Sequence, residues 1–350
     1  MTRYTQATLD SFIAEVDRLG GLGHPQVQPL IRDFTYEPTL SVDQSPDPFS
    51  EKYFQAQVAL YQELSGRSVN QEEGEQTILN VEKHAAGVNP YADPNVKLIS
   101  KHMRAIATCM AMADLPPNAA VLDAGCGWGV SSEIMAFCGA RVTALDINPR
   151  FVELVSKRSA RLGLPISPVC SNFDTFTAEP EYDMLFFYEC LHHSLKPWET
   201  VQRLGRFVKP GGKILFAGEP VNNIWWHHWG MRLDAQSVYC IRKFGWWESG
   251  WSAQFIIDCF ARAGFTLKLF PHIGLDNGLV GVAVHTAEAA TTRIDTTVYD
   301  PISNLTDQLT TFQRYSAKIQ QQLGDIRRSW TMRLTSPLRL GRRLLQKIAS

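Results

Sequence analysis

Nine consecutive residues, Val121-Leu-Asp-Ala-Gly-Cys-Gly-Trp-Gly129, constrain the fold of this chain more than any others. The apolar run Ala119 to Ala124 reads as a buried strand that ends in a Gly-rich turn. Gly125, Gly127 and Gly129 allow positive φ and let a ligand press against bare backbone. Val130 to Cys138 continues as a helix whose N-terminus faces that turn. A second apolar strand, Arg141 to Leu145, follows and ends in Asp146. An acid at that position can accept hydrogen bonds from both hydroxyls of a ribose. The expected unit is a nucleoside-binding βαβ.

The glycine spacing separates two cofactor classes. A dinucleotide site reads G-x-G-x-x-G/A, and its last position here is Val130, which would crowd helix against strand. The chain instead has G-x-G-x-G behind Asp123. Downstream, Glu181-Tyr-Asp-Met-Leu-Phe-Phe-Tyr188 is an acid-led apolar strand running into Glu189-Cys-Leu-His-His193. A helical stretch to Phe207 comes next. Val208-Lys-Pro-Gly-Gly212 then predicts a tight turn into a strand from Lys213 to Gly218, ending at Glu219. Phe265 to Phe270 and Leu279 to His285 supply two last strands as a hairpin.

In order and spacing, these motifs resemble the class I S-adenosylmethionine (AdoMet)-dependent methyltransferases, over roughly residues 100–285. The resemblance implies an α/β fold with a doubly wound, seven-stranded, mostly parallel sheet, and AdoMet as cofactor. Asp123, Gly125, Cys126, Gly127 and Gly129 are then expected around its methionine portion, with Asp146 and Ile147 at the ribose. Asn172 stands where an acid is more usual for the adenine contact. Asp174 lies two residues on, with Phe173 packing between them. Glu189, after the fourth strand, completes the expected cofactor set.

A hydroxyl acceptor is a poor nucleophile at neutral pH, so a general base is expected beside it. His192 and His193 follow the fourth strand and Glu219 the fifth, at the sheet end where open α/β folds place ligands. In some methyltransferases a His pair there only packs under the cofactor, so all three stay candidates. The loop Pro220 to Gly230 carries Trp225, Trp226, His227 and His228. It reads as an acceptor pocket whose rings stack on sugars or flat acceptors, with lid packing as the alternative. Adjacent His227 and His228 suit neither strand nor helix for chelating one ion, and no metal is expected.

The rest of the chain frames this core. Residues 1–95 form an N-terminal addition, 96–288 the methyltransferase-like domain, 289–303 a linker and 304–350 a helical tail. Leu9, Phe12, Ile13 and Val16 predict an amphipathic helix within 1–20, and residues 21–48 an extended wrapping segment. Ser50 caps a helix over Glu51 to Leu64, and another helix runs from about Asn95 to Ala113. In the resembling family such an addition lies over the cofactor mouth. A net charge of −1 gives no argument for nucleic acid. Seven cysteines without a C-x-x-C pair fit buried or site-lining free thiols. Neither a membrane span nor a signal core is present, which fits a cytoplasmic protein.

The tail has its own character. Leu305, Leu309, Phe312, Tyr315 and Ile319 recur at helical spacing, as in a coiled coil or a helix lying back on the body. Residues 327–350 carry seven Lys/Arg and no acid, against 27 bases and 35 acids before them. Ser329-Trp-Thr-Met-Arg-Leu-Thr-Ser-Pro-Leu-Arg339 partly resembles a terminal signature of bacterial polysaccharide-assembly proteins. Together with the cofactor motifs it implies O-methylation of a sugar or glycan in surface-polysaccharide synthesis. The alternatives are another small-molecule or lipid acceptor, and a non-catalytic scaffold that recruits glycosyltransferases. The basic amphipathic end can rest on an anionic membrane, on a glycosyltransferase partner or on its own body. A homo-oligomer is left open.

Overall fold

A computed structural model describes residues 2–76, 78–179, 181–223, 226–271, 279–296, 309, 312, 313 and 315–323. In chain order, the N-terminal addition has β1 (Thr2–Tyr4), α1 (Leu9–Arg18), α2 (Gln28–Asp33), β2 (Phe34–Tyr36), α3 (Glu51–Ser65), α4 (Gln71–Gly74) and α5 (Val81–Ala86). The core follows with α6 (Val96–Ala113), β3 (Ala120–Ala124), α7 (Val130–Phe137), β4 (Arg141–Asp146), α8 (Pro149–Leu162), β5 (Ile166–Cys170) and β6 (Tyr182–Tyr188). It continues through α9 (Pro197–Leu204), β7 (Val208–Ala217), β8 (Trp229–Met231), α10 (Ala235–Phe244), β9 (Ser249–Trp251), α11 (Ala253–Arg262), β10 (Phe265–Pro271) and β11 (Leu279–His285). Helix starts follow local chemistry. Ser50, Asn95 and Ser252 each accept a backbone N–H of the first turn, a cap worth about 1 kcal/mol.

The main sheet has seven strands in the order β10-β11-β7-β6-β3-β4-β5. β7, β6, β3, β4 and β5 pair in parallel, and β11 runs antiparallel to both β7 and β10. Alternation along the strands feeds two cores. On β6, Leu185 and Phe187 face a layer with α3, α9, α10 and α11, while Met184, Phe186 and Tyr188 face α6 and α7. A sheet covered on both faces is what near-continuous apolar strands require. Its carboxyl edge, carrying the turns after β3, β4 and β6, is left for a ligand.

Four local expectations change. Residues 21–48 are not simply extended, since α2 and a short 3-10 turn lie within them. The Lys209-Pro-Gly-Gly212 stretch does not precede the fifth strand but interrupts it. Val208 pairs with Tyr182 and Lys213 with Met184, so four residues bulge out between two paired positions. Two small pairings, β1 with β2 and β8 with β9, add strands that the sequence pattern did not reveal. Of the seven free cysteines, Cys138 and Cys170 are exposed, outside the expected buried or site-lining set.

Residues 1–298 form one compact unit and 299–350 another. In the second, residues 315–323 are helical, and Leu309, Phe312, Tyr315, Ile319 and Leu323 are exposed. The terminal signature and the basic stretch lie outside the described residues. Among the described residues no helix is long and apolar enough to cross a membrane.

Candidate active site

The Gly-rich turn is built to leave backbone bare. Gly125 has φ +69°, and a Cβ there would lie 2.8 Å from Cys190 Cβ. Gly127 has φ +50°, and the space where its Cβ would stand is open. Gly129 serves differently: it precedes α7, and a Cβ would meet Val155 Cγ2 at 2.7 Å, so this glycine lets α7 approach α8. Asp146 closes the turn from the neighbouring strand. Its Oδ2 accepts the Gly127 N–H at 2.7 Å and its Oδ1 the Asn148 N–H at 2.8 Å. Burial raises the Asp146 pKa to about 6, with those two amides pulling the other way.

Above the turn lies a cavity of about 890 Å³, near the upper end of the roughly 300–1,000 Å³ typical of small-molecule sites. Gly125, Cys126, Gly127, Asp146, Ile147, Asn172, Phe173, Asp174, Glu189 and His193 line it. Asn172 spends its Oδ1 on the N–H groups of Asp174 and Thr175 and on the Thr175 hydroxyl. The exposed Asp174 carboxylate stands beside it. Glu189 adopts φ +52°, rare for a side-chain-bearing residue, next to Gly218, where a Cβ would lie 2.3 Å from Glu189 Cγ.

Several sequence candidates fall elsewhere. Asp123 does not line the cavity. It is buried beneath the turn with Oδ2 bonded to the Ser131 and Ser132 hydroxyls, and Oδ1 has no hydrogen-bond partner. Burial raises its pKa to about 6 against the pull of those hydroxyls. Glu219 is fully buried, and its four acceptor positions are filled. Oε1 takes the Cys190 and Leu191 amides at 2.9 Å, and Oε2 takes the His192 amide at 3.0 Å and ring Nδ1 at 2.8 Å. Burial alone would raise its pKa, but His192 and the amides hold it below the ordinary value. Glu219 is thus an anchor for the turn after β6, not a base facing an acceptor. His192 is likewise buried and off the cavity wall.

The aromatic loop is mostly packing. Trp229 is fully buried among Tyr53, Trp198 and Phe255, and its indole N–H bonds Pro48 O at 2.8 Å. Trp226 donates to Met231 O at 3.0 Å, and the His227 backbone N–H reaches Gln44 Oε1 at 3.0 Å. Trp226, His227 and His228 do not line the cavity, and Trp225 lies outside the described residues. The aromatic density that suggested a pocket instead fills the layer between α3 and α11. From the later tryptophans, Trp246 does reach the cavity, with its indole N–H buried and unpartnered.

Further lining residues are ones the sequence did not single out for the site. Phe54 on α3, Val69, Gln71 and Glu72, Glu75 after α4, Tyr91, and His102 on α6 all line the cavity. Glu75 Oε2 lies 3.4 Å from His193 Nδ1, and Gln71 Nε2 donates to His193 O at 2.5 Å. Burial lowers the His193 pKa, but Glu75, helped by Glu248 and Glu219, outweighs it and lifts the value to about 9. A ring that keeps its proton at neutral pH is a donor, not the base expected of it. Lys196, also on the wall, pairs with Glu51 at 3.2 Å and sits 4.9 Å from the Phe54 ring centroid. Away from the cavity lining, Arg158 ties α8 to α7 and to the end of α5. It is buried, salt-bridged to Glu133, and donates to the carbonyls of His84 (3.0 Å) and Gly87 (2.8 Å).

Part of the chain is similar to known proteins. Residues 122–216 match the family described as a methyltransferase domain. A ubiquinone biosynthesis O-methyltransferase of Proteus mirabilis is 36% identical over 99 residues, covering 28% of this chain and 40% of that protein. Its counterpart in Xanthomonas axonopodis pv. citri is 34% identical over 104 residues, or 29% and 44% of the two chains. The chain thus spans only about two fifths of these relatives' length. A solved 1,6-didemethyltoxoflavin-N1-methyltransferase of Burkholderia thailandensis, with S-adenosylhomocysteine bound, is 21% identical at a TM-score of 0.41, covering 60% of this chain and 92% of that one. The match to the methyltransferase-domain family takes in the strand before the bare turn, the turn itself and the buried acid after β4.

Proposed function

We propose that the chain is an AdoMet-dependent O-methyltransferase whose acceptor is a sugar or glycan hydroxyl in surface-polysaccharide synthesis. One observation carries the transferase part: one cavity is lined by bare glycine backbone, a buried acid and a cluster of ionisable side chains. Bound there, AdoMet supplies a methyl group on a sulfonium cation for in-line displacement, chemistry that mainly demands positioning. The residues present suit that cofactor. The open space over Gly127 admits a ligand to the backbone, and the Asp146 carboxylate retains lone pairs for ribose hydroxyls. Asp174 and Phe173 take the adenine end, and Glu189 the methionine end beside Tyr91.

The acceptor reading rests on other lining residues of the same cavity. Glu75, His193, Lys196 and Glu199 line the cavity together with Phe54 and Trp246. Convergent polar groups beside aromatic faces suit a hydroxyl-rich ring. The unpartnered Trp246 N–H is a donor waiting for an acceptor oxygen. The His193–Glu75 pair is the nearest proton-handling unit to that space. An acceptor from ubiquinone biosynthesis is the second reading, favoured by the matched relatives and by apolar Val69 and Leu195 in the same wall. Incubation with methyl-labelled AdoMet and a panel of nucleotide sugars, glycan fragments and catechols decides between them. Label in the sugars supports the first reading and label only in catechols the second. No transfer to any hydroxyl acceptor contradicts both.

A further inference from the structure

Behind the His193 wall lies a polar cluster that methyl transfer as described leaves unused. His192 follows β6, Glu248 precedes β9, and the two meet across the fold: His192 Nε2 is 3.7 Å from Glu248 Oε2. His192 Nδ1 faces Glu219 Oε2 at 2.8 Å. A carboxylate only accepts, so Nδ1 donates to Glu219 and Nε2 is left 3.7 Å from a second carboxylate. That contact is repulsive unless a cation or a second proton lies between them. One donor atom each from His192, His193 and Glu248 lie within 4.8 Å of one another. His193 Nδ1 is buried without a hydrogen bond, and Glu75 Oε2 stands 3.4 Å from it as a further oxygen.

Charge points the same way. Glu75, Glu219 and Glu248 bring three carboxylates to the two rings. The named counter-cation is Arg232, 3.2 Å from Glu248 and shared with Asp234 at 3.1 Å. Glu75, Glu219, Glu248 and Asp234 outnumber Arg232 here, an excess of negative charge that one dication offsets. The framework is also prepared as metal sites usually are. A carboxylate behind a ligand histidine fixes its tautomer and raises its basicity, which is the relation of Glu219 to His192. Ser249 Oγ donates to His192 O at 2.7 Å and fixes the main chain.

We propose that His192, His193 and Glu248 bind one divalent transition-metal ion at the wall of the cavity, with Glu75 as an adjacent oxygen donor. Two imidazoles and a carboxylate favour zinc, cobalt, iron or manganese over magnesium or calcium, which prefer oxygen throughout. Tetrahedral ligands at about 2.1 Å from an ion lie about 3.4 Å apart, so the set closes inward by about 1 Å on binding. The ion displaces any proton held on the ligand nitrogens. Because His193 lines the cavity, an open position can take an acceptor oxygen. A hydroxyl bound there ionises more readily and gives its proton to water at the cavity mouth. The expectation of no metal considered His227 and His228, and neither belongs to this set.

Metal binding here does not depend on the methyl-transfer reading, so it is measured without AdoMet. The full chain, stripped with chelator, is titrated with Co2+ by visible absorption and with Zn2+ by calorimetry. The expected result is one ion per chain, with d–d bands for cobalt. His193→Gln and Glu248→Gln each abolish that binding, and Glu219→Gln weakens it about 10- to 100-fold. Circular dichroism checks that each variant folds. For a variant that does not, imidazole ¹⁵N signals of the wild type decide: zinc should move two ring nitrogens to metal-bound positions. Absence of saturable one-to-one binding, binding kept by both folded ligand variants, or ring signals indifferent to zinc overturns the site. AdoMet affinity, measured separately, tests the transferase reading alone.

Discussion

Asp146 offers the sharpest perturbation of the cofactor half. Asp146→Ala removes a carboxylate that is only 7% exposed and that accepts two backbone amides, Gly127 at 2.7 Å and Asn148 at 2.8 Å. In the proposed complex it also removes two ribose hydrogen bonds to a charged acceptor. Losing charge-assisted bonds of this kind costs about 1.5–3 kcal/mol, or about 10- to 150-fold in AdoMet affinity. The orphaned amides add a stability cost, so Asp146→Asn is the companion variant: it keeps the shape and one acceptor oxygen. Calorimetry with AdoMet at pH 7.5 is the assay. The pH response carries a sign. Burial lifts the folded pKa to about 6, above the ordinary 3.8, so the protonated form is favoured in the fold. Stability from this group is complete below about 3.8 and is lost as pH rises through about 6. Ribose binding prefers the ionised form, so wild-type affinity should fall as pH drops below about 6, and Asp146→Asn should lose most of that dependence. An unchanged dissociation constant in Asp146→Ala would refute the placement of the ribose.

Other predictions address the walls and the tail. Arg158→Ala strands the Glu133 carboxylate and the carbonyls of His84 and Gly87. It should cost about 3 kcal/mol in urea unfolding, the low end for a broken buried pair because Glu133 is still 16% exposed. An unshifted midpoint would show that α5, α7 and α8 are held together some other way. Trp246→Phe should raise the acceptor KM with little change in AdoMet affinity, because it deletes the unpartnered N–H at the cavity. Trp226→Phe should leave acceptor KM alone and lower thermal stability, since its N–H serves Met231 O. Equal effects of the two on KM would contradict the division between pocket and packing. Truncation after Thr296 should leave AdoMet binding intact, and under the membrane reading of the basic end it abolishes sedimentation with anionic vesicles. The cut keeps Ile294 on the core and the Asp295 N–H bonded to Met112 O. A truncated protein that still sediments, or that folds but loses methyl transfer to a soluble acceptor, contradicts that assignment.

The parallel core was legible because each strand is a short apolar run ended by a glycine turn or an acid, a local pattern. The caps at Ser50, Asn95 and Ser252 were legible for the same reason. What sequence could not reveal was placement across distance. Glu75 and Glu248 lie 118 and 55 residues from His193, and only α4 packing and the β8–β9 pair bring them to it. Composition also misled at the Trp-rich loop. Trp229 has the large apolar surface of a pocket residue, yet Pro48 O satisfies its N–H and frees the ring to serve as core. Among the three glycines of the turn, spacing could not tell Gly127, which opens to the cavity, from Gly129, which is pressed by Val155.

The most direct measurement is calorimetric titration of the full chain with AdoMet and with S-adenosylhomocysteine. The bare turn, the buried Asp146 and the cavity above them predict saturable one-to-one binding of both, weakened in Asp146→Ala. Failure of a folded wild-type protein to bind either would contradict an AdoMet-dependent transferase and favour a scaffold that keeps the fold without its chemistry.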